Sequence, residues 1–293
     1  MRRRPWLFAI KTLALLSRVR WYNVLLLALA QYLSSIYLLS PPESLWAFLT
    51  DYRLHLLVLS TGLVVSAGFI LNGFYDREKD LVNRPLQTAF ERLVSRRTAL
   101  NLYLIFNFAG LVLASVLSWR AVAFFAVYAL SLWMYSHKFK KLTYLGNLSA
   151  ALLSFVPFFA LLLYYRSLHP GLISYVGFLF CIELGRQLVK DVEQMKGDLI
   201  FGYPTIPALE GQNGLRKHLA AILTLSIVSA GIHVGLWTPK AQWVVLVLGI
   251  GLLLWAWRRI PGSPQPSRTA RRLHQGFKLC LVAGVLALPF LAG

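Results

Sequence analysis

Three residues at intervals of four, Asn72, Asp76 and Asp80, close a long apolar run in the stretch LNGFYDREKDLVNRP. On a helix this spacing lays all three along one face. Arg77, Lys79 and Arg84 stand beside them. Carboxylates next to cationic side chains at the edge of a bilayer suit a divalent cation that holds a polyanion such as a diphosphate. An ordinary charged loop would carry similar i,i+4 pairs, so the weight comes from a second stretch with matching chemistry. Glu183, Arg186, Gln187, Lys190, Asp191, Gln194 and Asp198 fall within about 140° of one another at 100° per residue, a polar stripe that descends into an apolar segment. Ionisable groups in such a place are costly and by default functional. Asn147, near the start of another apolar run, is a buried amide in need of a partner. Ahead of it, Lys138, Lys140 and Lys141 suffice as anchors of a short cytoplasmic loop.

The elements that must position these residues are membrane helices. A chain of 293 residues that is 57% hydrophobic and 14% charged reads as an all-α polytopic membrane protein. Nine spans are expected, near residues 20–39, 53–74, 100–118, 120–136, 143–165, 171–189, 218–237, 241–257 and 273–292, each able to cross roughly 30 Å of hydrocarbon. The whole of 1–293 is expected to form one membrane-embedded domain around a cytoplasm-facing cavity. Residues 1–17 are read as an uncleaved interfacial amphipathic helix, because Lys11 and Arg18 interrupt the apolar part and no small-residue cleavage site follows. The segments 75–97 and 190–217 are expected as cytoplasmic loops that carry the site. Gly197 and the run from Gly202 to Pro207 are expected to break the helix there. Residues 261–267 read as a polar linker, and His218 as an interface marker.

The net charge of +19 does not point to nucleic acid, because the basic residues form no continuous stripe. It points to orientation. Taking alternate loops, only Arg53, Arg120, Arg166 and Lys240 of the 30 Lys and Arg fall on the side opposite the N-terminus. The positive-inside rule then places the N-terminus and the site in the cytoplasm and the C-terminus outside. Arg18, Arg20, Trp21, Tyr22 and Asn23 read as interfacial anchors in preference to site residues. Cys181 and Cys280 are far apart in apolar runs, so neither a disulfide nor a metal spacing arises. The chain has no Walker A loop, HExxH or GxSxG.

These motifs resemble those of the UbiA superfamily of intramembrane prenyltransferases. Asn72, Asp76, Asp80, Arg84 and Pro85 match its first signature, N-x-x-x-D-x-x-x-D followed by Arg-Pro. Lys190, Asp191, Gly197, Asp198, Thr205 and Pro207 match its second, K-D-x-x-D-x-x-x-D with a downstream T-x-P. Tyr135-Ser136 with Lys138, then Gly146-Asn147, is similar to the segment between them. Gln194 replaces the middle Asp of the second signature, and Gly73 stands where many members have an acid.

The resemblance implies Mg²⁺ held by Asp76, Asp80, Asp191 and Asp198 as the catalytic and metal-binding set. Asn72, Arg84, Lys138, Asn147, Arg186, Lys190 and Gln194 are then substrate-binding, with Arg84, Arg186 and Lys190 as a diphosphate clamp. The substrates implied are a prenyl diphosphate and a lipophilic acceptor in the bilayer, with no obligate protein partner. The wording KDVEQMKGD with GYPTIP is similar to the branch that alkylates a prenylated glycerol phosphate. Aromatic acceptors such as hydroxybenzoate, naphthoate or homogentisate stay open. A CDP-alcohol phosphotransferase would need a D-x-x-D-G-x-x-A-R run, which is absent from the sequence. An ion-coupled transporter relaying through Glu183, Lys190 and Asp191 would favour a midplane site and internal repeats, whereas the acidic motifs lie to one side.

Overall fold

The computed structural model describes residues 5–39, 44–166, 168, 170–236 and 242–291. Residues 2–4, Lys240 and the last two positions, which enter the charge and span readings, lie outside the described residues. Among the described residues every element is helical. In chain order they are α1 (Pro5–Val19), α2 (Trp21–Ser34) with a π turn at Ser35–Leu39, α3 (Leu45–Thr50), α4 (Tyr52–Tyr75), α5 (Arg77–Asn83), α6 (Pro85–Glu91), α7 (Arg96–Leu117) and α8 (Trp119–His137). A 3₁₀ turn at Phe139–Lys141 leads to α9 (Thr143–Tyr165), α10 (Pro170–Ile200), α11 (Ile206–Leu209), α12 (Gly211–Leu236), α13 (Gln242–Arg259) and α14 (Pro266–Leu286).

Among the described residues helices occupy most of each segment expected to span. Among the described residues seven are long and apolar enough to cross a membrane: Trp21–Leu39, α4, α7, α9, α10, α12 and α13. The other two are helices of more polar composition. α8 mixes Arg120 and His137 with tyrosines and serines, and α14 carries Arg268, Arg271, Arg272, His274 and Lys278.

The helices group into two compact units, Met1–Leu29 with Ser44–Lys138, and Ala30–Glu43 with Phe139–Gly293. In lipid the apolar side chains of separate helices gain little by leaving the solvent, so close packing and satisfied polar groups must hold them together. The first unit follows that rule. α4 buries Val64, Ala67, Ile70 and Leu71, and glycines let its neighbours approach. A Cβ on Gly110 of α7 would stand 3.0 Å from Val64, and one on Gly68 of α4 would stand 3.0 Å from Leu132 of α8. α1 does more than lie on a surface, because Ala14 is fully buried in a cluster with Ile70, Val94 and Ala99.

The second unit is built round α10, whose Phe178, Ile182, Leu188, Val189 and Val192 pack with Leu219, Leu253, Leu273 and Phe277. Gly249 of α13 lets the helices approach there, since a Cβ would come within 2.7 Å of Ile182 and 2.9 Å of Phe178 and push them aside. Cys181 and Cys280 are both buried free thiols.

Candidate functional site

In the first unit the acidic stretch expected as part of a loop is helical. α4 ends at Tyr75 and Asp76 takes turn geometry, φ −90° and ψ 5°, yet the i→i−4 bonds run on through it. The N–H of Asp76 donates to Asn72 O at 2.9 Å, that of Asp80 to Asp76 O at 2.7 Å, and that of Arg84 to Asp80 O at 2.7 Å. This ladder sets Asn72, Asp76, Asp80 and Arg84 along one edge, as their spacing predicts. It bends at Arg84, φ −143° and ψ 63°, because a residue before proline is kept out of the helical region. Pro85 then opens α6.

Asp76 is only 8% exposed, and the amide oxygen of Asn72 is enclosed with no hydrogen-bond partner among the described residues. An enclosed amide oxygen beside a buried carboxylate suits a hard cation or a donor from a ligand. Arg84 Nη2 pairs with Asp80 Oδ1 at 2.8 Å. Burial pulls the Arg84 pKa down, but the charge and hydrogen bond of Asp80, helped by Glu91 and Asp76, outweigh it and leave the guanidinium above its usual value. Gly73 has no packing reason to be glycine, since a Cβ there would meet nothing within 4 Å.

Arg20 departs from the simple anchor expected of it. Its backbone is left-handed, φ 54°, its guanidinium lies 5.2 Å from the Phe69 ring centre, and its charge neighbours include Arg84 and Asp80. Ser17 donates to Glu91 at 3.1 Å and so ties α1 to α6. Lys138 caps α8 through its backbone N–H to Met134 O, with its side chain exposed.

In the second unit α10 runs unbroken for 31 residues. Gly197, expected as a breaker, is a buried residue within the helix; the break falls at Gly202, φ +65°. There Phe201 N–H donates to Gly197 O at 3.1 Å and Tyr203 N–H to Asp198 O at 2.9 Å, the closure by which a left-handed glycine ends a helix. Most of the expected 190–217 loop is therefore helix, in α10, α11 and the first turns of α12.

The closure places Asp198 in the last turn, 1% exposed. A carboxylate buried among the terminal carbonyls, where the helix field is already negative, is costly to keep charged. Asn147 has the partner its burial demands, donating from Nδ2 to Asp191 Oδ2 at 2.8 Å. Gly146 makes this possible: a Cβ there would stand 3.3 Å from the Lys140 carbonyl oxygen, so glycine lets the 3₁₀ turn lie against the start of α9. Lys190, Asp191 and Gln194 are half-buried on consecutive turns. Thr205 of the T-x-P is buried, with no hydrogen-bond partner for its hydroxyl among the described residues.

Arg186, expected as a clamp, is committed to the protein. It donates to Glu183 through Nε at 2.6 Å and Nη2 at 2.5 Å, and to His274 Nε2 through Nη1 at 3.0 Å. Gln187 adds a third donor to Glu183 at 2.6 Å.

Two sets of contacts escaped sequence reasoning. Glu193 binds His274 at 2.7 Å and Arg271 at 3.3 Å. Glu210 accepts from Tyr144 Oη at 2.5 Å and lies 3.1 Å from His218 Nε2, which makes His218 more than an interface marker. The signal for both was scarcity, because a chain with only 11 Asp and Glu seldom spends one without a partner.

Among the described residues no three His, Cys, Asp or Glu side chains gather into a ready-made metal cage. Each unit instead brings two aspartates. That fits Mg²⁺, which commonly takes one or two carboxylates and completes its shell with waters and substrate phosphates.

The chain is 29% identical over 247 residues to a digeranylgeranylglyceryl phosphate synthase of Thermococcus gammatolerans, covering 79% of this chain and 83% of that one. It is 32% identical over 205 residues to the synthase of the same name from Pyrococcus abyssi, covering 68% of each. Its fold is similar to that of a UbiA homologue from Archaeoglobus fulgidus solved with GPP and Mg²⁺, with a TM-score of 0.65 and 18% identity over 94% of this chain and 99% of that one. A model of the UbiA prenyltransferase family matches residues 28–282, and the chain belongs to that family.

Proposed function

We propose that this protein is a Mg²⁺-dependent prenyltransferase that moves a polyprenyl group, geranylgeranyl first among candidates, from its allylic diphosphate to the hydroxyl of a prenylated glycerol phosphate. The observation that carries the reading is the pair of carboxylate sets, Asp76 with Asp80 and Asp191 with Asp198. Asp76 and Asp80 follow the end of α4, Asp191 and Asp198 lie in the last three turns of α10, and Asp76 and Asp198 are buried. The named activity of the curated relatives supports the choice of acceptor.

In the reaction the bond between the allylic carbon and the diphosphate oxygen breaks, and both electrons leave with diphosphate. The acceptor oxygen captures the delocalised allylic cation, forms the new C–O bond and sheds its proton. Bound Mg²⁺ would neutralise the charge that grows on the leaving group. Asp76 and Asp80 in one unit, and Asp191 and Asp198 in the other, would hold such ions, with Asn72 and Gln194 offering neutral oxygens. Lys190 and Arg84 stand beside those carboxylates as donors to phosphate oxygens, and Asn147 keeps Asp191 in one orientation. Apolar helices exclude water from the cation. The basic-residue asymmetry supports a cytoplasmic site, with the N-terminus on the same side and the C-terminus opposite.

Glu183, which an ion relay would need to release, is held by three donors from Arg186 and Gln187. That disfavours the transporter reading.

The test is incubation of the purified full chain with labelled geranylgeranyl diphosphate and a panel of acceptors: geranylgeranylglyceryl phosphate, hydroxybenzoate, naphthoate and homogentisate. Label transferred to the glycerol phosphate and abolished by EDTA is the expected result. Transfer to an aromatic acceptor alone would overturn the acceptor assignment, and full transfer in EDTA would overturn the metal.

A further inference from the structure

α14 grips α10 at two points. His274 Nε2 lies 3.0 Å from Arg186 Nη1 and His274 Nδ1 lies 2.7 Å from Glu193 Oε2, while Arg271 Nε reaches Glu193 Oε1 at 3.3 Å. The partners dictate the tautomer. A guanidinium only donates, so Nε2 must accept, and the ring hydrogen sits on Nδ1 and goes to the carboxylate. Glu183, Arg186, neutral His274, Glu193 and Arg271 thus form one chain of alternating charge with no net charge, and Lys278 is the further cation near the ring.

Packing alone does not call for this chain. Gly185 already brings α10 against Leu253 and Phe277, and Leu273 and Phe277 are fully buried. A buried polar network is costly to desolvate, and what it adds is one defined register. Its register matters here because Arg186 and Glu193 are seven residues, roughly two turns or about 10 Å, apart along α10. Lys190 and Asp191 lie between them. The two grip points therefore bracket the turn that carries the chemistry, and a helix held on both sides of that turn cannot rotate it away.

We propose that His274 is a positioning residue for prenyl transfer: by joining Arg186 to Glu193 it fixes the rotation of the α10 turn that presents Lys190 and Asp191 to the diphosphate. The proposal rests on the prenyl-transfer reading of α10. Its test is calorimetric titration of the detergent-solubilised full chain with inorganic pyrophosphate in excess Mg²⁺, beside the kinetics of transfer.

His274→Ala should weaken pyrophosphate binding and lower kcat by about tenfold, the size of loss seen when a residue that orients a binding group is removed, with the KM for the acceptor unchanged. His274→Gln, whose amide oxygen can still accept from Arg186, should stay within about threefold of the parent. Should His274→Ala not fold, His274→Asn replaces it, because that amide is long enough for Glu193 and too short for Arg186. Parent-like binding and kcat in His274→Ala or His274→Asn would overturn the proposal, whatever happened to thermal stability, and so would equal losses in the Gln and Asn variants. A parent chain that binds while Asp191→Asn does not, with His274→Ala unaffected, would overturn this proposal alone. Failure of the parent chain to bind would overturn the prenyl-transfer reading with it.

Discussion

The two acidic regions solve one problem by different means. In the first unit Asn72, Asp76, Asp80 and Arg84 are held by their own backbone, a ladder of i→i−4 bonds that passes through a change of helix, and Arg84 closes on Asp80 four residues away. In the second unit a single 31-residue helix carries the carboxylates, and distant residues aim them: Asn147 from α9 on Asp191, and Arg271 and His274 from α14 on Glu193. The first region depends on local sequence, and the second on tertiary packing. Substitutions outside the motifs should therefore be felt in the second region and hardly at all in the first.

The largest effect separates carboxylates from everything else. Asp80→Asn and Asp198→Asn each keep side-chain size and remove a charge, and each should cut kcat/KM by a hundredfold or more, roughly what loss of one catalytic electrostatic contact costs. Normal turnover by either variant would remove its region from the reaction.

Next comes Asn147→Ala, which changes no signature aspartate yet removes the hydrogen bond to Asp191. Its kcat/KM should fall about tenfold and the Mg²⁺ needed for half-maximal rate should rise, as when the hydrogen bond that orients a metal ligand is lost. Arg84→Gln, in the locally built region, should raise the KM for prenyl diphosphate and leave the Mg²⁺ requirement alone, because the backbone still holds Asp76 and Asp80. If the two variants respond alike to Mg²⁺, the contrast between local and distant support fails.

What was legible in the sequence follows the same division. The four-residue spacing of Asn72, Asp76 and Asp80 and the polar stripe of α10 could be read because helical periodicity is a local property. Gly197 misled because a glycine inside a packed helix and one that ends it look alike in sequence; the left-handed conformation of Gly202 decides between them. Arg186 misled for another reason. A cation beside a carboxylate motif looks free for substrate until a partner 88 residues away, His274, is seen against it. Asn147 could be flagged as an amide in need of a partner, but only the fold names Asp191.

A smaller effect is expected at Gln194, one turn beyond Lys190 and Asp191. Gln194→Asp restores a charged oxygen, so it should lower the Mg²⁺ concentration needed for half-maximal rate and leave the product unchanged. A weakened response to prenyl diphosphate with the same Mg²⁺ requirement would show that the amide acts as a donor to substrate.

The smallest effect belongs to Glu210. Its carboxyl is held below the usual range chiefly by the Tyr144 hydroxyl, against a smaller opposing push from burial and with help from His218. A lowered folded-state pKa stabilises the protein at neutral pH, and that contribution fades as pH falls through the folded value. Glu210→Gln should therefore flatten the acid side of the Tm-against-pH profile and leave transfer at neutral pH unchanged. A loss of transfer would place this cluster in the reaction.

The proposed function stands or falls on whether both carboxylate sets are needed for one Mg²⁺-dependent transfer. It is tested most directly by kcat/KM of Asp76→Asn, Asp191→Asn and the double variant, measured in saturating Mg²⁺. Residues that act as one set are strongly non-additive, so the double variant should be within a few-fold of the worse single one. Losses that multiply would show two independent contributions and contradict the account.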